Sequence, residues 1–194
     1  MSFLQLTIII VFLLPFICSA QAKNDQFVIA TGAEYMYSTH STSFAGGSIE
    51  LNRNINKAIA IGAGAEYSTC KFHADNGWNL YNLKFAPLFL SQYFNFIRRQ
   101  RMGLYLHLRE GVSFIRYRKE YQDASAPTKN IREFGFYGDA SLCGKVLLNN
   151  GMNLFLETGL KSFHISTYDL EVNPHGVNFR LGLAFHIFKR HFLN

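Results

Sequence analysis

Val177-Asn178-Phe179-Arg180-Leu181-Gly182-Leu183-Ala184-Phe185-His186-Ile187 carries the clearest pattern in the chain. Side chains along a strand point alternately to opposite sides. Val177, Phe179, Leu181, Leu183, Phe185 and Ile187 therefore share one fully apolar face. Asn178, Arg180, Gly182, Ala184, His186 and Phe188 share the other, which mixes small, polar and charged groups. Only a strand with two different environments needs such a division.

The same division recurs upstream. Ile59, Ile61, Ala63, Ala65 and Tyr67 oppose Ala60, Gly62, Gly64, Glu66 and Ser68, and Phe27, Ile29, Ala33, Tyr35 and Tyr37 oppose Ala30, Gly32 and Glu34. Alternating runs separated by turn-rich segments predict strands near 26–38, 43–52, 58–70, 80–93, 102–117, 132–148, 152–166 and 177–188. Tight turns at 52–57 and 149–151 and the short segment 94–101 fall on the side of both termini. Longer loops at 71–79, 118–131 and 167–176 fall opposite, with a short one around 39–42. That asymmetry predicts an all-β fold, an eight-stranded antiparallel up-and-down transmembrane β-barrel.

The apolar face is expected outside. Gly and Ala suit the narrow interior of eight strands, and a charge in hydrocarbon without a partner is costly. The expected inward charges are Glu34, Glu50, Glu66, Asp139 and Glu157 against Lys84, Arg109, Lys145, Lys161 and Arg180. Five against five allows a paired network and a closed interior. Glu110 breaks the pattern, since parity turns it outward with Leu108 and Val112, and a β-bulge at Arg109-Glu110-Gly111 is the expected remedy. Aromatic girdles are expected from Tyr35, Tyr37, Tyr67, Trp78, Tyr81, Tyr117 and Phe134 on the loop side, and from Tyr93, Phe94 and Phe188 on the turn side.

The 194 residues include 48% hydrophobic but only 16% charged ones. A mean hydropathy near zero excludes a multi-span helical protein but not a barrel that hides its hydrophobicity in alternation. Leu4 to Ile17 form an apolar run followed by Ala20-Gln21-Ala22, so residues 1–22 read as a signal peptide and 23–194 as one barrel domain. Cys70 and Cys143 fall on non-adjacent strands at different heights, too far apart to bridge. The formal charge of +6 is scattered and does not point to nucleic acid. The basic clusters at 98–101 and 116–119 suit anionic outer-membrane lipid, lipopolysaccharide included, or simple loop solvation. Nothing implies a cofactor or a metal.

Over nearly all of 23–194 the chain resembles the small eight-stranded Gram-negative outer-membrane barrels. Arg180-x-Gly182-x-x-Phe185-x-Ile187 is similar to the terminal-strand signal read by the barrel assembly machinery, which the resemblance implies as a partner in the cell outer membrane. A narrower resemblance joins His164-Ile165-Ser166 and Asn173-Pro174-His175-Gly176-Val177-Asn178 to lipid A deacylases, outer-membrane serine hydrolases. It implies Ser166 as nucleophile and His164 as base. The orienting acid is replaced by Asn178, and Thr167 stands where the family has Asn. The leading expectation is a non-enzymatic barrel with a structural or surface-contact role. A lipid A hydrolase is the second reading and a soluble periplasmic ligand-binding barrel the third. Oligomeric state stays open.

Overall fold

The computed structural model describes residues 27–39, 41–75, 78–121, 129–149, 151–164 and 173–187. The expected signal peptide, the end of the chain after Ile187, and Ser166 lie outside them. Eight strands follow one another: β1 (Phe27–Ser38), β2 (Ser43–Asn54), β3 (Ile59–Asp75), β4 (Trp78–Arg98), β5 (Met102–Tyr121), β6 (Lys129–Asn149), β7 (Met152–Phe163) and β8 (His175–Ile187). Each pairs antiparallel with its neighbours in the chain, and β1 pairs with β8, so the sheet is a closed barrel. Among the described residues no helix is long and apolar enough to cross a membrane.

The alternation read from the last strand holds. Asn178, Arg180 and Ala184 are buried, while Phe179, Leu181, Phe185 and Ile187 are exposed on the outer wall. The outer wall continues with Ile49, Leu51, Leu88, Leu90, Val112, Phe136, Leu156 and Leu160. Such a belt would aggregate in water and is at ease in lipid.

The strands differ in length in a way the sequence pattern does not suggest. β3 to β6 have 17, 21, 20 and 21 residues, while β1, β2, β7 and β8 have 12 or 13. Of the segments expected as loops, 71–75, 78–79, 118–121 and 129–131 are strand, and half the wall stands higher on the loop side. β7 is shorter than expected and ends at Phe163.

Two features interrupt the ladders of β4, and the second redirects side chains. Pro87 lacks an N–H, and the β3–β4 ladder skips from Ala65–Leu88 to Ser68–Phe85 around it. Asn82 has φ 53°, a left-handed conformation that Asn tolerates better than most residues. The β4–β5 register shifts beside it, between Tyr81 and Lys84. Counting inward positions from buried Leu80 therefore fails below the bulge. Leu83 and Phe85 point inward and Lys84 is exposed outside. Lys84 is not part of the interior, contrary to expectation.

The expected bulge at Glu110 is absent. The ladders run unbroken through Leu90–Glu110–Gly138. Glu110 sits half-buried on the outer wall, beside a groove of about 940 Å³ over Gly138 and Leu160. Of the expected girdle, Tyr35, Tyr37, Tyr67 and Phe134 are exposed outside, but Tyr93 and Tyr117 are buried within the barrel.

Large side chains inside need space that glycines provide. Gly32 and Gly182 face each other across the β1–β8 seam, and the Phe155 ring lies over both. A Cβ on Gly182 would come within 2.6 Å of the Phe155 ring and of the Gly32 backbone. Gly182→Val should destabilise the barrel by about 1–3 kcal/mol, read as a lower urea midpoint in detergent micelles. Glu110→Gln should stabilise it by roughly 1 kcal/mol in lipid vesicles.

Candidate functional site

The interior is layered. At the loop end Met36, Phe44, Leu80, Leu83, Phe85, Ile115, Tyr117 and Phe163 form an apolar cluster. At the turn end Val28, Ala30, Tyr93, Cys143, Phe155 and Ala184 form a second. Cys70 and Cys143 belong to different clusters and are both free. Between the clusters lies a layer of charged groups.

Arg109 Nη1 donates to Glu34 at 2.8 Å and Nη2 to Asp139 at 3.1 Å. Lys161 donates to Glu34 and, at 2.9 Å, to Glu66. Arg180 Nη1 reaches Glu157 at 3.1 Å and Glu50 at 3.5 Å, and its Nε lies 3.3 Å from Glu34. His107 bridges two acids, with Nδ1 3.2 Å from Glu157 and Nε2 3.4 Å from Glu50. Each of these residues is at most 5% exposed.

Neutral groups complete the layer. Tyr137 donates to Glu66 at 2.9 Å and Ser68 to the same carboxylate at 2.5 Å. Ser141 donates to Asp139 at 2.6 Å. Tyr93 donates to Glu50 at 3.4 Å and stacks on His107 with ring centroids 3.8 Å apart. Phe89 and Phe155 lie under the Arg109 and Arg180 guanidinium groups. Buried charges are tolerable only when paired and hydrogen-bonded in this way.

All five expected acids are in this layer, with three of the five expected bases. Lys145 also faces inward, towards the turn end. Its Nζ lies 3.9 Å over the Tyr93 ring and 4.7 Å over Tyr105, so it is held by aromatic faces. It borders a vestibule of about 850 Å³ that includes Asn153 and His186, joined by a 2.7 Å hydrogen bond. His107 and His186 are hydrogen-bonded within the barrel, as their strand parity implies. The sequence reading misses the role of Tyr93 and Tyr137. Their inward parity is the available signal.

Of the three residues of the hydrolase resemblance, two lie among the described residues, and they are not side by side. His164 follows the end of β7 and is exposed on the outer side, its backbone N–H bonded to Phe136 at 2.8 Å. Asn178 is fully buried inside and donates to Asp139 at 2.5 Å. It pairs across the sheet with Gly159, five residues down β7 from His164, or about 17 Å along the strand. The barrel wall thus separates Asn178 from the imidazole it is expected to orient. Ser166 lies outside the described residues.

No protein-family model matches the chain, and no curated protein does. Solved structures do. The chain is similar to a major outer membrane protein of Thermus thermophilus, with TM-score 0.60 and 10% identity over 84% of this chain and 99% of that one. It is similar to Ail, the attachment invasion locus protein of Yersinia pestis, with TM-score 0.55 and 8% identity over 84% and 99%. A third is the outer membrane protein OprG of Pseudomonas aeruginosa, with TM-score 0.50 and 11% identity over 87% and 98%. At such identities the likeness is one of fold, and the fold is that of the small eight-stranded outer-membrane β-barrels.

Proposed function

We propose that this chain is an integral outer-membrane β-barrel with an interior closed to ions, serving the envelope structurally or presenting its raised rim for surface contact. The observation that carries this reading is the charged layer. Arg109, Lys161 and Arg180 cross the narrow middle of the barrel and are bound to carboxylates from β1, β2, β3, β6 and β7. Apolar clusters lie on either side of it. An ion would have to displace several charge-assisted hydrogen bonds at once. The barrel's apolar exterior and periplasmic-type short turns support the membrane setting.

Charge balance in this reading involves His107 in place of the displaced Lys84. Both His107 ring nitrogens face carboxylates, and only the imidazolium carries an N–H on each. Glu34, Glu50, Glu66, Asp139 and Glu157 then face Arg109, Lys161, Arg180 and His107, and Lys145, held apart over the Tyr93 and Tyr105 rings, is the fifth inward cation.

The protein reconstituted in a planar bilayer should give no discrete conductance steps, and regular steps from the wild type would overturn the closed-interior reading. Removing one cation should expose its acids. Arg180→Met should cost about 3–5 kcal/mol of unfolding free energy. Adding Glu157→Gln should recover part of it, with a coupling of about 1–3 kcal/mol. Urea titrations of the single and double variants in vesicles measure both quantities.

A further inference from the structure

Three cations stand in a row on the outer wall. Lys84 on β4 lies directly opposite Arg116 on β5, and Arg116 lies directly opposite Arg132 on β6. All three are exposed. Among the described residues none of them has an ion-pair partner. One level higher, Arg118 is paired with Glu120 at 3.4 Å and lies over the Tyr81 ring, so the row below is the uncompensated part.

Like charges directly opposite in a sheet repel and destabilise it. Three in sequence across adjacent strands ask for an anion between them. Strand spacing makes the row about 10 Å wide. Its height says which anion. Immediately below Lys84 on the same outer face come Ala86, Leu88 and Leu90. Below Arg116 come Phe114 and Val112, and below Arg132 come Phe134 and Phe136. Phe134 is 75% exposed. The row therefore caps the apolar belt, at the level where lipid headgroups begin. It lies on the loop side, opposite the start of β1, the end of β8 and the short turns, which is the outer leaflet in an outer-membrane barrel.

We propose that Lys84, Arg116 and Arg132 form a binding site for the phosphate groups of an outer-leaflet glycolipid, lipid A, whose acyl chains lie along the apolar wall of β4–β6. This rests on the outer-membrane reading above. Arginine forks match phosphate oxygens two at a time, and Lys84 adds a third cation. The bulge at Asn82 is what makes the site, because without its parity change Lys84 would point into the barrel.

The test uses full-length refolded protein in a zwitterionic detergent, titrated with diphosphoryl lipid A, the same lipid without phosphates, phosphatidylglycerol and inorganic phosphate. Wild type should bind diphosphoryl lipid A at least about tenfold more tightly than the others. Lys84→Ala/Arg116→Ala/Arg132→Ala should lose that preference, while Arg98→Ala/Arg99→Ala/Arg101→Ala at the turn side should keep it. Arg116→Gln alone should weaken binding and, in lipid-free detergent, melt no lower than wild type, since repulsion is relieved. Equal binding of wild type and triple variant, or phosphatidylglycerol binding as tight as lipid A, would overturn the site. Failure of the wild type to give a heat-modifiable barrel band on electrophoresis would instead count against the membrane barrel itself.

Discussion

Glu34 and Arg180 face each other across the β1–β8 seam, and the ionic layer that passes through them ties the whole wall together. Glu34 alone gathers Arg109 from β5, Lys161 from β7 and Arg180 from β8. Glu50, Glu66, Asp139 and Glu157 bring in β2, β3, β6 and β7, and Tyr93 supplies β4. Every strand thus has a side chain in one connected layer. Breaking any cation out of it leaves buried carboxylates with less compensating charge, which is where the large energetic penalties in a low-dielectric interior arise.

The rest of the interior is arranged around that layer. Apolar groups above and below keep its hydrogen bonds from competing with bulk water. Glycines at Gly32 and Gly182 let the Phe155 ring lie close to the wall, and Phe155 in turn lies under Arg180. The outer wall has the opposite requirement. Its belt of Leu, Ile, Val and Phe is interrupted by Glu110, whose only accommodation is half-burial beside Gly138.

Much of this is legible in the sequence. Period-two alternation determines which residues face inward as long as the backbone stays regular, and β1, β7 and β8 stay regular. Hence all five acids and Arg109, Lys161 and Arg180 fall on the side that parity assigns them. Lys84 does not, because a single left-handed residue, Asn82, changes the parity below it, and an Asn between Tyr81 and Leu83 gives no unique signal for a bulge. Tyr93 and Tyr117 look like girdle residues because they lie near expected strand ends. Their strands in fact run on past them, to Arg98 and Tyr121. The extended parts of β3 to β6 look like loops because their polar residues no longer alternate with apolar ones. That His164 and Asn178 should meet is what the resemblance to the hydrolases implies, not something the spacing of these residues shows. The register of β7 on β8 sets them on opposite faces and several residues apart.

The unequal heights of the wall have a kinetic meaning. The long ladders of β3 with β4, β4 with β5 and β5 with β6 are hairpins, each closing a short stretch of chain, whereas the β1–β8 seam joins its two ends. Loop-closure entropy favours the hairpins first and the seam last. During that interval the chain is an open sheet with Glu34 on one edge and Arg180 on the other, each without its neighbour across the gap. Such a sheet cannot lie in hydrocarbon with its inward face uncovered. Entry into the bilayer and closure of the seam are therefore coupled events, and the rate of barrel formation is set by delivery of the last strand to the first.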